Sequence, residues 1–361
     1  MKAAVLRQIN VPMEIEDVDI ALPIGREVLV RVAAVGLCHS DLHVFDGSYP
    51  NVLPTILGHE VAGVVEQVGP DVHRVRPGDH VVLSLSFNCG HCEHCQSGNP
   101  QRCMTPEASR RPGEPARVTK GSEVIDPFMR IGGFAEQVLV HDSGCIVIDR
   151  DVPLDRACLI GCGVTTGYGA AVRTAGVRVG DRVAVIGCGG VGLSAINGAA
   201  IAGAKQIIAI DRVPAKLELA RAFGATDVID AATGDVAEQV MALTGGRGVD
   251  HALEAIGRKD TVEAAFGSLA KGGTATVIGV SAMGTTVEFA PNRLLREVAL
   301  QGSNMGSVRP GIDIPDCVDF YRSGRLKLDE LVSRTRPLTE INEAIADMRA
   351  AQLARTVITF D

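Results

Sequence analysis

Along the first half of the chain, apolar and polar residues alternate in short runs such as Val28-Leu29-Val30-Arg31-Val32, punctuated by Gly and Pro. That period of two is the signature of half-buried strands, and it predicts a largely β region whose first strand is formed by the opening residues 1–7. From about 164 the rhythm changes. Apolar runs predict strands over 183–186, 206–210, 226–229, 249–253, 274–278 and 298–300, alternating with alanine-rich helical stretches, the first over 193–202. Such alternation is that of βαβ units, in which a parallel sheet is covered by helices on both faces. Helical patterns over 316–323 and 340–348 and a closing strand over 356–360 need not belong to that sheet. The stretch 105–132, with Pro112, Pro115, Pro127 and the basic residues Arg110, Arg111, Arg117 and Lys120, reads as a long loop. No repeat at solenoid periods is present.

Composition narrows the class. With 361 residues, 46% of them apolar and 22% charged, the chain has the length for two or three domains with full cores, and the balance excludes wholesale disorder. A net charge of -8 argues against nucleic acid as a partner. Residues 183–204 carry no charge over about the length that spans a bilayer. The glycines at 187, 189, 190 and 192 nevertheless point to a strand, a tight turn and a helix rather than a membrane span. The N-terminus lacks the sustained apolar run and small-residue cleavage site of a secretory signal, so a cytoplasmic location is expected. There thiols stay reduced, which turns attention from disulfides to metal or catalysis for the ten cysteines.

Gly187-Cys188-Gly189-Gly190-Val191-Gly192 follows an apolar strand and opens a helix, the context of a dinucleotide-binding turn. The first glycine permits the turn, the second lets a pyrophosphate approach the backbone, and the third lets helix and strand pack closely. Asp211, about 20 residues on at the next strand's end, is placed to accept hydrogen bonds from an adenosine ribose, which favours NAD. The adjacent Arg212 leaves NADP open. Cys89, Cys92 and Cys95 are separated by two residues each and Cys103 follows after seven more. Four soft ligands in one loop suit a closed tetrahedral zinc site better than an iron–sulfur cluster or a redox pair. A second set is dispersed over Cys38, His59 and Cys162. Each alone has an ordinary reading as a packing or core residue; together, two Cys and one His are the ligand set of a catalytic zinc with an open position.

These residues resemble the zinc-dependent medium-chain alcohol dehydrogenases of the medium-chain dehydrogenase/reductase superfamily. The likeness rests on Cys38-His39-Ser40-Asp41, Gly58-His59-Glu60, the four-cysteine loop, the run from Gly161 through Gly169, the glycine turn and Arg355-Thr356-Val357-Ile358. It implies an α/β chain in which a GroES-like, mostly-β catalytic domain (1–163, with a zinc loop at 89–103, completed by 305–361) is split around a Rossmann domain (164–304), with the active site in the cleft between them. It implies two zinc ions per chain: one on Cys38, His59 and Cys162, with Glu60 behind them or exchanging as a ligand, and one on Cys89, Cys92, Cys95 and Cys103. It further implies that Ser40 takes the alcohol proton and passes it toward His43, and that Thr166 and Val191 position the nicotinamide. Lys216 would hold the ribose, and His39 and Arg355 would contact the pyrophosphate. The activity implied is reversible NAD-linked oxidation of a primary alcohol, aromatic or allylic among the options, to an aldehyde. The alternatives are oxidation of an S-hydroxymethyl thiol adduct and, more distantly, a zinc-free quinone or enoyl reductase or a non-catalytic zinc and nucleotide scaffold. A homodimer or homotetramer is expected, with no nucleic-acid or membrane partner.

Overall fold

The computed structural model describes residues 1–104, 108–350 and 354–360. The chain divides into two compact units: Met1–Cys162 with Arg309–Asp319 and Leu331–Asp361, and Gly163–Val308 with Phe320–Glu330. The sequence pattern closes the inserted domain at 304 and returns all of 305–361 to the first. The segment Phe320–Glu330 instead belongs with the second unit. Its local reason is Asn197, whose side chain donates to the Arg325 carbonyl at 3.0 Å and accepts from the Lys327 N–H at 2.9 Å.

In the first unit the central strand is Glu27–Gly36. It pairs antiparallel with Glu60–Val68, Gln137–His141 and Arg355–Thr359. Its valines Val28, Val30, Val32 and Val35 are buried in one apolar core with Leu57, Val61, Val65 and Phe134. The C-terminal strand sets Val357 opposite Gly36, which in turn faces Glu60 across the other edge. That register brings residue 355 to residue 60. Gly36 is required between them, because a Cβ there would run into Glu60 and Leu159.

The second unit holds a six-stranded, wholly parallel sheet in the order Asp227–Asp230, Gln206–Asp211, Arg182–Ile186, Val249–Glu254, Leu269–Val277, Ala299–Gly302. Numbered from Arg182–Ile186, this is the 3-2-1-4-5-6 order of a doubly wound dinucleotide fold, with the reversal beside that first strand. The uncharged run 183–204 is part of the strand, the turn and the helix Gly190–Ile201. No helix among the described residues is long and apolar enough to cross a membrane.

Two sequence expectations are corrected. The stretch 105–132, of which 105–107 lie outside the described residues, is not a plain loop: Val118–Lys120, Glu123–Val124 and Asp126–Pro127 are strands. Charge pairing at long range organises it. Arg110 and Arg117 both bind Glu27, at 2.6 and 2.8 Å, and Lys120 binds Glu16 at 2.7 Å. Burial would raise the Glu27 carboxyl, but the two guanidinium groups outweigh it and hold it below its ordinary range. The helix expected over 316–323 begins six residues earlier, as Pro310–Arg322. Gly311 and Pro315 in its first turns mask it from a propensity reading.

Candidate active site

Three segments of the first unit deliver the dispersed ligand set. Cys38 follows the central strand and precedes the short helix His39–Phe45, His59 and Glu60 open the strand Glu60–Val68, and Cys162 ends the turn after Cys158–Gly161. One ligand atom from each of Cys38, His59, Glu60 and Cys162 lies within 4.8 Å of all the others, and all four residues are buried.

Asp41 organises this cluster. One carboxylate oxygen accepts the Cys38 N–H at 3.0 Å, while the other accepts the Gly58 N–H at 2.9 Å and meets His59 Nδ1 at 3.2 Å. Asp41 takes the Nδ1 side of the ring, so Nε2 is the ring atom left facing the cluster, where it is buried with no hydrogen-bond partner among the described residues. Burial alone would depress the imidazole, but Asp41 and the Cys38 sulfur outweigh it and push His59 up to about 10. The hydrogen bond from Cys162 holds the Cys38 thiol well below its ordinary value. Two cysteine sulfurs, an imidazole whose Nε2 faces them and a carboxylate, all buried and convergent, fit a divalent cation of borderline softness that would displace the ring proton.

In the sequence Asp41 stands only as the last residue of Cys38-His39-Ser40-Asp41, with no role of its own. The signal was its place three residues after Cys38 in the first turn of a helix. Asp41→Asn keeps the shape and removes the charge that orients His59. It is expected to weaken zinc binding at this centre by about 10–100-fold, measured by competition with a chromophoric chelator. Unchanged affinity would show that Asp41 only supports the backbone.

The four-cysteine loop is partly buried. The Cys89–Cys95, Cys92–Cys103 and Cys103–Cys89 sulfurs are 3.9, 3.8 and 3.7 Å apart. A disulfide requires about 2.05 Å. A tetrahedron with zinc–sulfur bonds of about 2.3 Å has edges of roughly 3.8 Å, so the loop has the dimensions of a Zn(Cys)₄ site. Backbone N–H groups of Cys92 and His91 point at the Cys89 sulfur, at 3.3 and 3.5 Å, as donors to a thiolate do.

In the second unit the glycine turn has the form the sequence suggested. Gly187 adopts φ +96°, and a Cβ on Gly192 would collide with the Gly187 carbonyl. A Cβ on Gly189 would meet nothing within 4 Å, leaving open space at the N-terminus of Gly190–Ile201 where a pyrophosphate fits. Asp211 accepts the N–H groups of Cys188 at 2.8 Å and Val213 at 3.0 Å, so it ties the turn to the neighbouring strand end. Lys216 is half-buried in the helix Pro214–Ala222, Val191 is half-buried in the turn, and Thr166 donates to the Met305 sulfur at 3.7 Å.

The remaining candidates lie in the first unit. Ser40 Oγ is 3.8 Å from the Cys38 sulfur, and His43 Nδ1 is 3.1 Å from Ser48 Oγ. His39 is exposed, its ring centroid 6.5 Å from that of His43. Arg355 is 5% exposed and its guanidinium pairs with Glu60, leaving its Nε buried without a partner.

Comparison with known proteins agrees with this geometry. Residues 25–150 match the alcohol dehydrogenase GroES-like domain and residues 190–322 match the zinc-binding dehydrogenase domain. The chain is 37% identical to an S-(hydroxymethyl)glutathione dehydrogenase of Saccharomyces cerevisiae, over 99% of this chain and 96% of that protein. It is 39% identical to an NDMA-dependent alcohol dehydrogenase of Amycolatopsis methanolica, over 99% of this chain and 98% of that one. The crystal structure of benzyl alcohol dehydrogenase from Acinetobacter calcoaceticus superposes with a TM-score of 0.93 at 34% identity, covering 100% of this chain and 99% of that chain. With a GroES-like fold, a Rossmann sheet and two sets of convergent soft ligands, the chain belongs to the zinc-dependent medium-chain alcohol dehydrogenases, oxidoreductases that use zinc and NAD.

Proposed function

We propose that this enzyme oxidises medium-sized or bulky primary alcohols, benzylic and allylic ones among them, to aldehydes with NAD, and catalyses the reverse reduction. The observation that carries the reading is the convergence of Cys38, His59, Glu60 and Cys162 within 4.8 Å over an oriented His59. Cys38, His59 and Cys162 hold a catalytic zinc, with Glu60 kept in reserve by Arg355; Cys89, Cys92, Cys95 and Cys103 hold a structural one. When bound, zinc supplies Lewis acidity that can bring the pKa of a coordinated water from about 15.7 to about 7, and NAD supplies the hydride acceptor. Ser40 accepts the hydroxyl proton and passes it on toward His43, a half-buried imidazole that can exchange it with solvent. The glycine turn takes the pyrophosphate, Asp211 and Lys216 the ribose, and Thr166 and Val191 the nicotinamide; His39 and Arg355 are the further pyrophosphate contacts that the family resemblance implies.

Substrate size follows from Ser40 and Leu85, the residues that the family resemblance would set against the substrate. Ser40 is smaller than threonine and leaves room, and the partly buried Leu85 offers an aliphatic wall. The name of the Saccharomyces relative supports a second reading, an S-hydroxymethyl thiol adduct as substrate. Three of the basic residues of 105–132, Arg110, Arg117 and Lys120, are already paired with Glu27 and Glu16, which favours the simple alcohol, while Arg111 is an exposed cation there that an anionic adduct would meet. NADH formation across aliphatic, benzylic and allylic alcohols, with and without the glutathione–formaldehyde adduct, is expected to peak with the benzylic or allylic members. A higher kcat/KM for the adduct would install the second reading, and no NADH from any member would overturn both.

A homodimer or homotetramer suits the second unit. The end strand Ala299–Gly302 pairs on one side only among the described residues, and Val280, Met283 and Leu295 nearby in sequence are exposed. A cytoplasmic, reducing location suits a chain whose ligand thiols must remain unoxidised.

A further inference from the structure

His43 does not stand alone. Ser48 Oγ lies 3.1 Å from His43 Nδ1 and 2.5 Å from Asp46 Oδ1, and the Ser48 N–H donates to the same Asp46 oxygen at 2.9 Å. A serine hydroxyl has a single proton. The short contact with the carboxylate claims it, because a charge-assisted O–H···O⁻ bond of about 2.5–2.7 Å is stronger than the alternative bond to the His43 carbonyl at 3.3 Å. Ser48 therefore faces His43 with a lone pair, and Nδ1 must be the donor. We propose that Ser48 and Asp46 are positioning residues of the proton relay: they hold His43 as the Nδ1–H tautomer, so that bare Nε2 receives the proton.

The step balances without any further reactant. The O–H bond of the donor breaks as an N–H bond forms at Nε2, and the ring becomes an imidazolium bonded through Ser48 to the Asp46 carboxylate. The proton then leaves Nε2 for water and the original tautomer returns. Asp46 never accepts the proton; its charge, conveyed through Ser48, stabilises the imidazolium. This arrangement is built locally, since all three residues lie on the helix His39–Phe45 and the turn that follows it. The turn is fixed in its own right by the Asp46 and Tyr49 N–H groups, which donate to the Leu42 and His43 carbonyls at 2.9 Å each.

The inference rests on the proposed relay through His43, and the test separates the two. Long-range ¹H–¹⁵N correlation spectra of histidine-labelled enzyme report the tautomer of His43 directly, with His43→Gln assigning its signals. Wild type is expected as Nδ1–H; Ser48→Ala is expected to shift toward the Nε2–H form that imidazole favours in water, and Ser48→Thr to restore the original. In alcohol oxidation, Ser48→Ala and Asp46→Asn are expected to lower kcat by about tenfold at nearly constant KM, less than the roughly 100-fold or more lost in His43→Ala. Increasing concentrations of an imidazole buffer are expected to recover much of the deficit in each. A wild-type Nε2–H signal, or Ser48→Ala with unchanged tautomer and kcat, overturns the role of Ser48 while leaving the relay in place. Full activity in His43→Ala without buffer dependence overturns the relay itself.

Discussion

Cys162→Ala is expected to remove one zinc per chain and to lower alcohol oxidation by at least about 1,000-fold, a loss of roughly 4 kcal/mol of transition-state stabilisation. Cys162 is the most informative ligand to replace. Alanine leaves only a small gap at a position that is 8% exposed, and no buried charge loses its only partner. His59→Ala would instead take the imidazole from the fully buried Asp41 carboxylate and leave it only the Cys38 and Gly58 N–H groups, and breaking a buried charge pair costs up to about 3–5 kcal/mol of stability. Loss of activity in that variant would not distinguish unfolding from loss of metal. In Cys162→Ala, Asp41 keeps all three of its contacts, so Cys38 and His59 stay in place as an incomplete set. Metal analysis should find one zinc where wild type has two, with the melting transition nearly unmoved. Wild-type turnover with one zinc lost would refute the assignment of the catalytic site to Cys38, His59 and Cys162.

The two cysteine sets differ in how far they were legible. Cys89, Cys92, Cys95 and Cys103 lie within one loop, so their spacing alone suggests a tetrahedral site, and the sulfur separations have the size such a site needs. Cys38, His59 and Cys162 are far apart in sequence; their residue types alone, two Cys and one His, suggest a ligand set, and the fold, a long-range property, is what brings them together. The glycine turn was legible for the opposite reason, because strand, turn, helix and the next strand's Asp211 follow one another directly. What escaped is what depends on a distant partner. Asp41 takes its role from Gly58 and His59, 17 and 18 residues further along the chain, which no local pattern links to it. The order in 108–132 was hidden because Glu27, more than 80 residues upstream, supplies the charge that gathers Arg110 and Arg117. The resemblance implies Arg355 as a contact for pyrophosphate; in the fold its guanidinium pairs with Glu60, a pairing that follows from the C-terminal strand lying beside Glu27–Gly36.

Cys103→Ala should have the opposite profile from Cys162→Ala: it also removes one zinc, but the principal loss is stability. The loop it closes has little else to hold it together. Its short helix Glu93–Gln96 contains no buried side chain, and in the turn Pro100–Arg102 only Gln101 is buried. Ordering a residue's backbone costs about 1–2 kcal/mol, so a loop of this length without a core needs the metal, which is worth roughly 10–16 kcal/mol in isolated zinc-binding peptides. Thiol chemistry points the same way. Partial burial and the neighbouring Cys92, Cys103 and Cys89 push Cys95 up to about 12, so its thiolate needs a cation beside it. The variant is expected to lose at least about 4 kcal/mol of stability, seen as a fall in Tm of roughly 8 °C or more. It should also become sensitive to trypsin at Arg102 while wild type resists. Turnover measured at low temperature, before the loop's loss spreads, should stay within about tenfold of wild type, because none of these cysteines belongs to the Cys38, His59 and Cys162 set. An unchanged Tm and unchanged protease resistance with one zinc lost would mean that the chain orders the loop without metal.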